Sequence, residues 1–589
     1  ELMMKKIKHR GPDDEGVFIN NNFGFGFVRL SILDLSILGH QPMFTNDGRF
    51  MIIFNGEIFN YIELKAELSD YYNFKTNTDT EVILASFLKW GINCVKRFNG
   101  MFAFVIYDKE TNDVYSFRDR YGIKPFYYYH DNNKLIFASE IKSILPLVKK
   151  SVNNKIMYDY LLFNRTDQTN NTFFNNILKL PHGCHMKISN NNVVISKWYN
   201  LRDKITTDHN LSILDYKNLF NDSIRLRLRS DVPLGVSLSG GIDSSSIVSS
   251  IINDFKIKDL KTFSAVFEKN DINDESHFIK SYESIVKNMY FTSPDENTFY
   301  DDYKNFIEAH NEPVPDTGPY IQYKVMQLAK KYVKVTLDGQ GADEQLAGYH
   351  SFFGSYYIEL IKNFKFLTFL IENYFYIKKH KSLTIYKYLL YYLLPTKFQN
   401  SISANFSPSI SKDFINDMSS TIEISNINEM LYKPKSLTDS LIQHFEFKLE
   451  HLLKWGDLNS MNSSIESRVP FLDYRLVEAT LSTPSNKKIS KGETKWILRA
   501  ANKEILPKRI FYRLDKKGFS NPREKWLRSK KFNVLINDIL NSESFKSLSY
   551  FDVNKAKNQY QLHLKGKLDC SREIWKWINV YTWHHKYIN

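Results

Sequence analysis

The sequence has 589 residues, of which 43% are hydrophobic and 24% charged, and its formal net charge is +14. This length exceeds what one hydrophobic core organises, so we expect two or three domains, and the composition excludes extensive disorder. The lysines are spread along the whole chain, which favours a solvated surface over a nucleic-acid interface.

The cysteines and the apolar stretches bear on the compartment. Cys94, Cys184 and Cys570 are few in so long a chain and have no metal-ligand spacing, which favours a reducing environment. The most apolar later stretch, residues 364–377, is interrupted by charged and amide side chains. We therefore expect a cytoplasmic protein with no membrane span.

Residues 1–199 have the pattern of an α+β layered domain. Short apolar runs separated by turns predict strands, and two stretches have helical spacing. The predicted strands are residues 23–30, 50–54, 102–107, 114–118, 126–130 and 135–138, and the predicted helices are residues 62–68 and 80–90.

Polar side chains stand at the ends of several of these strands. A free amino acid needs an Arg fork for its carboxylate and carboxylates for its ammonium group. Arg29, Glu57 and Asp79 would suit such a ligand. Spacing alone favours the alternative, in which they form surface ion pairs at loop mouths.

A polar stretch, residues 200–210, predicts a linker, and strands alternate with helices over residues 211–589. The alternation indicates an α/β fold with a parallel sheet, whose ligands bind at the carboxyl ends of the strands. Residues 261–267 and 333–337 are predicted strands, and residues 275–286 and 320–332 are predicted helices.

A glycine turn follows the apolar run 232–238, and we expect a helix to begin at Ile247 and Val248. Strand, turn and helix start together place backbone N–H groups and hydroxyls around one point, which predicts a phosphate cradle. The order differs from the Walker A pattern, which needs a Lys after its second Gly. An ordinary connection is the alternative. The candidate residues are Ser239, Gly240, Gly241, Asp243, Ser244 and Ser245.

A second glycine turn, residues 338–344, follows the predicted strand 333–337. A nucleotide bridging the two turns is the natural geometry, because both stand at strand ends. Asp243 and Asp343 are candidates for Mg²⁺, which prefers oxygen ligands and retains water. The alternative for Asp243 is an N-cap of its helix.

The first half contains a series of motifs at residues 9–16, 39–43, 54–61, 79–81, 97–103 and 118–125. Together these motifs resemble the glutaminase domain of glutamine-hydrolysing asparagine synthetases. The resemblance implies an N-terminal-nucleophile-type fold. It also matches Arg29, Asn55, Gly56, Glu57 and Asp79 to glutamine-binding positions, with Asn55 and Gly56 also at the oxyanion hole.

The second half resembles the synthetase domain of the same family, and its first glycine turn resembles the pyrophosphate loop of ATP pyrophosphatases. Residues 465–473, 492–499 and 516–519 carry the rest of the resemblance. It implies catalytic roles for Lys495 and Lys516, for which a solvated lysine is the alternative. It matches Leu238, Val266, Asp338 and Gly339 to ATP-binding positions. The implied ligands are aspartate, glutamine, ATP and Mg²⁺, and a homodimer is compatible.

The sequence differs from this family at the nucleophile of the glutaminase domain, which is a cysteine in the family. The family uses a cysteine as its mature first residue, and this sequence begins at Glu1. Cys94 stands in a helix-like segment and cannot supply an N-terminal amine as base. The alternatives are a sequence that lacks the first strands, which its start at Glu1 favours, and an inactive glutaminase. For the sequence as given we expect no glutaminase activity and the use of free ammonia.

A second departure is Gln340, where many family members have an acidic residue important for the β-aspartyl-AMP intermediate. Gln340 hydrogen-bonds but cannot act as a base or balance a cation. We expect that Asp338 or Asp343 supplies the carboxylate. This departure weakens the assignment of aspartate as the acceptor but not the assignment of adenylation.

Residues 352–447 are aromatic and Lys-rich, and we expect an irregular helical insertion. The spacing of Leu360, Phe364, Leu367 and Ile371 is helical, and core packing is favoured over a partner surface. Residues 575–583 predict a final helix packed on the domain.

The sequence therefore predicts ATP-dependent amidation of aspartate to asparagine through a β-aspartyl-AMP intermediate, with glutamine or free ammonia as nitrogen donor. One alternative is a related amidotransferase acting on another carboxylate, such as a sugar acid or a peptide. Alternatives from other classes are a pyrophosphate-loop tRNA-modifying enzyme and a non-catalytic scaffold.

Overall fold

The structure is a computed structural model and describes residues 1–20, 23–190, 192–206, 210–268, 271, 273–403, 407–419, 431, 433–516, 518 and 521–588. In this part of the chain the strands form four sheets, which contain two, six, three and five strands. The first three sheets are antiparallel and the last is parallel.

The six-stranded sheet is the centre of the first half, with strand order β11-β10-β6-β5-β4-β3. The other two antiparallel sheets are β1-β2 and β8-β7-β9. The strands are β1 Asp14–Asn20, β2 Phe23–Arg29, β3 Met43–Phe44, β4 Phe50–Ile58, β5 Gly100–Asp108, β6 Val114–Arg118, β7 Tyr127–His130, β8 Leu135–Ala138, β9 Ile177–Lys179, β10 Cys184–Ser189 and β11 Asn192–Lys197. The helices are Leu2–Ile7, Tyr61–Leu68, Asp79–Trp90, Ile141–Ile144 and Asn154–Phe163.

The parallel sheet is the centre of the second half, with strand order β14-β13-β12-β15-β16. Its strands are β12 Leu234–Ser237, β13 Lys261–Ala265, β14 Asn288–Thr292, β15 Val335–Leu337 and β16 Glu466–Arg468. The helices are Ile213–Arg227, Ile242–Asn253, Ser276–Ile279, Glu296–His310, Gly318–Ala329, Ala342–Leu346, Phe352–Lys362, Phe366–His380, Thr384–Leu393, Thr396–Ser403, Lys412–Ser419, Leu437–Phe447, Leu449–Asn462, Tyr474–Ser482, Trp496–Ala501, Lys508–Phe511, Arg523–Leu527, Lys530–Asn541, Glu543–Lys546, Val553–Leu564 and Ser571–Tyr587.

Two local predictions in the second half are wrong, and one strand was not predicted. The expected helix over residues 275–286 is a short helix, Ser276–Ile279, followed by one 3₁₀ turn. The helix after the first glycine turn begins at Ile242, five residues before the expected start, and its N-cap is Gly241, so Asp243 is not the cap. Strand β14 was not predicted, because its burial is incomplete along its whole length and leaves no apolar alternation.

The insertion at residues 352–447 is helical as predicted where it is described, but core packing holds for only part of it. Leu360 is buried in the helix Phe352–Lys362. The chain then turns at Phe364, which has a φ of 57°. Phe364 and Leu367 are 81% and 73% exposed, and Ile371 is also exposed. The helical spacing crosses two separate helices and does not mark one buried face.

The largest hydrophobic core joins both halves of the chain. Helix Asn154–Phe163 contributes Tyr160 and Leu161, which pack in one cluster with Trp526, Trp575 and Trp583. The final helix, Ser571–Tyr587, is therefore buried in this core as expected. The division into residues 1–199 and 211–589 stays a prediction. Among the described residues, no helix is both long and apolar enough to cross a bilayer.

Candidate active sites

Two cavities hold most of the candidate residues, one in each half of the chain. The larger, of about 1290 Å³, opens at the carboxyl ends of β12, β13 and β15. It is lined by Leu238, Ser239, Asp243, Ser244, Asp338, Gly339, Gln340, Asp343 and Lys516, among others. This is the edge of a parallel sheet where ligands bind.

The first glycine turn is held by its own hydroxyls. The N–H groups of Ser239 and Gly241 donate to the hydroxyls of Ser244 and Ser239, at 3.2 and 3.3 Å. Gly240 has a φ of 73°, and a Cβ there would lie 2.8 Å from the Cβ of Phe278. The helix beginning at Ile242 turns its unpaired N–H groups toward the cavity end of β12. The turn therefore has the chemistry of an anion cradle.

The two glycine turns are in direct contact. A Cβ on Gly339 would lie 3.0 Å from the Cβ of Asp243 and 3.2 Å from the backbone nitrogen of Ser244. Asp338 follows β15 and accepts a hydrogen bond from Gln322 at 3.0 Å. A side chain at 339 would force the first turn to move by a few tenths of an ångström. The two turns therefore lie close enough for one nucleotide to contact both.

Two aspartates and two lysines form one charge cluster between the turns. The Nζ of Lys495 lies 2.6 Å from carboxylate oxygens of both Asp243 and Asp343. The Nζ of Lys516 lies 2.8 Å from Asp343 and 3.9 Å from Asp243. Lys495 is buried, so the interpretation as a solvated lysine is wrong for it, whereas Lys516 keeps part of its side chain in solvent.

The charge cluster gives neighbouring carboxyls different pKa values. Burial by itself would raise the pKa of Asp343, but Lys495 and Lys516 outweigh it and lower that pKa to about 2. Burial, followed by the charge of Asp343, raises the pKa of Glu344 to about 7. Burial also raises the pKa of Asp338. Carboxyls with different charge states at neutral pH therefore share this cavity.

Sequence reasoning missed the residues that make room for the cluster. A Cβ on Gly348 would lie 1.9 Å from Asp343 Oδ1 and 2.4 Å from Lys495 Cε. Lys495 itself has a φ of 55°, a conformation that non-glycine residues rarely adopt outside functional sites. Nothing in a single sequence marks either property.

Five candidates do not line this cavity. Gly240, Gly241 and Ser245 form the turn and the start of the helix beside it, Lys495 is buried against Asp243 and Asp343, and Val266 packs against a hydrophobic core cluster. The neighbours of Val266, Ala265 and Phe267, line the cavity instead. The ATP contact expected for Val266 stays a prediction.

The smaller cavity, of about 510 Å³, contains all five candidates for binding an amino acid. Arg29, Asn55, Gly56, Glu57 and Asp79 line it. Arg29, Glu57 and Asp79 are buried, so the interpretation of these three as surface ion pairs is wrong. Cys94, Cys184 and Cys570 are all buried, and none of them lines this cavity.

Each of these side chains is fixed by its neighbours. Arg29 donates to three backbone carbonyls, including that of Asp34 at 2.6 Å. A Cβ on Gly39 would lie 1.8 Å from the Arg29 guanidinium, which explains the glycine of that motif. Gly56 has a φ of 146°, and a Cβ there would lie 2.0 Å from the carbonyl of Met101.

The two carboxyls of this cavity have raised pKa values. Burial, followed by Asp79, raises the pKa of Glu57 well above its ordinary value. Burial also raises the pKa of Asp79 to about 7, although the Ile58 N–H donates to it at 2.8 Å. Arg468 on β16 lies 3.3 Å from Glu57. Sequence reasoning missed this contact, because it joins residues far apart in the chain.

Two known families match the chain in succession. Residues 1–199 match the family described as glutamine amidotransferase domain. Residues 215–585 match the family described as asparagine synthase. The order of the two matches is the order of the two cavities along the chain.

Individual relatives cover nearly the whole chain. Asparagine synthetase (glutamine-hydrolysing) 1 of Bacillus subtilis is 31% identical over 99% of this chain and 92% of its own length. Asparagine synthetase (glutamine-hydrolysing) 3 of the same organism is 28% identical over 87% of this chain and 82% of its own. A solved glutamine phosphoribosylpyrophosphate amidotransferase from B. subtilis has a TM-score of 0.26 at 13% identity, over 50% of this chain and 62% of that one, which carries no argument. By its family matches and this identity, the chain belongs to the asparagine synthase family.

Proposed function

We propose that the protein is an ATP-dependent amidotransferase that converts aspartate to asparagine. The observation that carries the proposal is the cluster of Asp243, Asp343, Lys495 and Lys516 between two touching glycine turns. The β-carboxylate of aspartate attacks the α-phosphorus of ATP and pyrophosphate leaves. Ammonia then attacks the carbonyl of the β-aspartyl-AMP, AMP leaves, and asparagine is released.

In this proposal the first glycine turn holds the departing pyrophosphate. The helix N-terminus at Ile242 and the hydroxyls of Ser239 and Ser244 supply donors that neutralise developing negative charge. Lys516 approaches the cavity from the side of the second turn and adds a cation. Lys495 does not line the cavity, and its contacts with Asp243 and Asp343 hold the two carboxylates in position.

Asp243 and Asp343 have the oxygen chemistry that Mg²⁺ prefers. The two carboxylates converge on Lys495, whose Nζ lies 2.6 Å from each, so a bound Mg²⁺ would share their oxygens with this lysine. Among the described residues, no three acidic, His or Cys side chains form a metal cage. Mg²⁺ in nucleotide sites uses one or two carboxylates, with phosphate and water as its other ligands. When bound, it would screen the charge of the phosphates.

The second glycine turn has Gln340 at the position where many family members have an acidic residue, so another carboxyl must act on the adenylate. Glu344 and Asp338 are the buried carboxyls with raised pKa values in the same cavity. We assign to Glu344, whose pKa of about 7 lets it exchange a proton at neutral pH, the acceptance of a proton from the attacking ammonia.

The smaller cavity is the proposed site for glutamine. Glu57 and Asp79 would receive the ammonium group of the amino acid, and Arg29 would receive its carboxylate. Asn55 and Gly56 would form the oxyanion hole. The N-terminal-nucleophile-type layered fold, the cytoplasmic location and the homodimer stay predictions beside this assignment.

The test supplies aspartate, ATP, Mg²⁺ and ammonium to the full chain and measures pyrophosphate, AMP and asparagine. Lys495→Gln removes the shared cation and should lower the rate of pyrophosphate release about 100- to 1000-fold. Lys454→Gln is the matched control, because Lys454 is also buried and paired with two carboxylates, Asp167 and Glu312. It should lower stability and leave the turnover of the folded fraction unchanged. Absence of all three products would overturn the proposal.

A different carboxylate acceptor is a second candidate, favoured by Gln340 and by the extent of the larger cavity. Beyond the nucleotide turns the cavity continues along His350, Tyr376 and His380, where a larger molecule could bind. Pyrophosphate release measured with aspartate, a sugar acid and a peptide carboxylate separates the two candidates. A sugar acid or peptide that outperforms aspartate would replace the acceptor and leave adenylation in place.

A further inference from the structure

The densest group of exposed apolar side chains lies in residues 361–402, which we call the 361–402 surface. In helix Phe366–His380, Leu367, Leu370 and Tyr374 stand on one exposed stripe. In helix Thr384–Leu393, Leu390 and Leu393 form a second exposed stripe. Helix Thr396–Ser403 exposes Phe398 and Ile402, one turn apart. Three successive helices therefore each present an apolar stripe to solvent.

These stripes belong to ordered helices that pack on the protein with their other faces. Glu372 and Tyr376 are buried, and each lies two residues from an exposed position of the stripe, which places them on another face of the helix. Glu372 accepts the backbone N–H groups of Lys491 and Gly492, at 2.9 and 3.0 Å. The hydroxyl of Tyr386 donates to Asn373 at 2.8 Å and so joins the first two helices. The exposed stripes are therefore held in place by a polar attachment.

The charge of the 361–402 surface has one sign. Glu372 is the one acidic residue in this stretch of sequence, and it is buried. Among its described side chains, five lysines are exposed: Lys362, Lys365, Lys378, Lys381 and Lys387. Exposed Leu, Phe and Tyr side chains with lysines as the exposed charges of the same helices are the composition of helices that lie in a membrane interface.

A second copy of the chain suits this surface poorly. A two-fold contact would place the same lysines opposite each other without carboxylates to pair with them. An anionic bilayer offers an apolar layer for the stripes and negative headgroups for the lysines. Each lysine near the headgroups adds to the affinity. The two longer helices, of 15 and 10 residues, extend about 22 and 15 Å along such a surface.

We propose that the 361–402 surface binds the protein peripherally to an anionic lipid bilayer. The stripes of the three helices enter the headgroup and acyl boundary, and Lys362, Lys365, Lys378, Lys381 and Lys387 contact the lipid phosphates. The inner face of helix Phe366–His380 lines the larger cavity with Tyr376, Lys379 and His380. The bound protein therefore carries that cavity close to the bilayer.

The test is co-sedimentation of the full chain with vesicles of equal parts phosphatidylcholine and phosphatidylglycerol, beside vesicles of phosphatidylcholine alone. We expect binding to the mixed vesicles that weakens as salt is raised. Leu367→Glu with Leu390→Glu should weaken it about 100-fold. Lys365→Gln with Lys381→Gln should weaken it about 30-fold.

Leu214→Glu with Val534→Glu is the matched control, because both side chains are exposed elsewhere on the molecule and the charge change is the same. This control should bind as the wild type, and thermal unfolding should show that every variant folds. Absence of binding to the mixed vesicles, or equal loss in the control, would overturn the proposal. So would a dimer in solution that the paired leucine substitutions dissociate, because it would assign the surface to a second copy.

Discussion

At the scale of single residues, the larger cavity contains two neighbouring carboxyls with very different pKa values. Asp343 keeps its charge because two lysines lie within 2.8 Å of it. Glu344, the next residue, is buried beside that charge and has a pKa of about 7. Its Oε1 accepts the hydroxyl of Tyr349 at 2.7 Å. Burial raises the pKa of both carboxyls, but the two lysines outweigh burial at Asp343, whereas the charge of Asp343 adds to it at Glu344.

Glu344 should make the protein less stable as pH rises toward neutrality. Between its ordinary value of 4.5 and about 7, the folded protein keeps a proton on Glu344 that the unfolded chain has lost. Stability from this group is therefore full below pH 4.5 and is lost as pH rises through about 7. Glu344→Gln removes the effect, so the free energy of unfolding of the variant relative to wild type should rise by about 1–3 kcal/mol across this window.

Urea unfolding of both proteins at a series of pH values measures this difference. Glu543→Gln is the control, because the side chain of Glu543 is exposed and paired only with Lys546 on the same turn. The control should give a difference that does not vary with pH. A Glu344→Gln difference that is flat with pH would contradict the raised pKa.

Single residues also mark the limit of prediction from sequence. The Ser239–Gly241 turn could be predicted as a phosphate cradle because its residues are adjacent and follow an apolar strand. Lys495 and Lys516 could be selected only by resemblance, since lysine is ordinarily solvated. The burial of Lys495 against two aspartates results from the approach of distant segments, which no local pattern encodes.

At the scale of elements, strands with strong local patterns were predicted well. Val114–Arg118 and Leu135–Ala138 have the predicted bounds, and the predicted strand 50–54 continues to Ile58. The helix Ile242–Asn253 was expected to start five residues later, because Ile247 and Val248 are its first aliphatic pair. The first turn of that helix contains Asp243, Ser244 and Ser245 and so lacks the apolar spacing that predicts a helix.

The contact between the two glycine turns should be sensitive to one methyl group. Gly339→Ala places a Cβ 3.0 Å from Asp243 Cβ, and the backbone of Ser244 cannot move aside freely. We expect displacement of the first turn by a few tenths of an ångström and about tenfold slower pyrophosphate release, because catalysis depends on exact placement. Thermal unfolding should change little.

Gly456→Ala is the control for this substitution. Gly456 lies inside a helix, and a Cβ there meets its nearest neighbour, Gln322, at an ordinary 3.9 Å. Alanine should preserve the rate and favour the helix slightly. A Gly339→Ala protein with the wild-type rate would show that the two turns do not act together.

At the scale of the whole molecule, the two halves are joined by apolar packing and by buried charge. Helix Asn154–Phe163 packs with the tryptophans of the final helix, although a polar stretch at residues 200–210 predicts a simple linker. Sequence patterns locate each half because each has its own sheet. They do not reveal this shared core, because its members are far apart in the chain and each is an ordinary apolar residue.

Arg468 is a buried charge that joins the smaller cavity to the parallel sheet. It lies 3.3 Å from Glu57 and 2.8 Å from Glu466, and it donates to the carbonyls of Arg227 and Arg229. Arg468→Gln removes the nearest cation from the buried Glu466 and the donors to two backbone carbonyls, so it should lower the free energy of unfolding by about 3–5 kcal/mol. Arg202→Gln, at an exposed ion pair with Asp439, should cost less than about 1 kcal/mol.

A double-mutant cycle with Glu57→Gln shows whether this loss comes from the contact between the halves. Glu57→Gln removes one of the carboxyls that Arg468→Gln leaves unpaired, so the double variant should be more stable than the sum of the single losses by about 1–2 kcal/mol. Urea unfolding followed by tryptophan fluorescence measures all four proteins. Strict additivity would mean that Arg468 stabilises only its own sheet, and the two cavities would then lack this direct electrostatic connection.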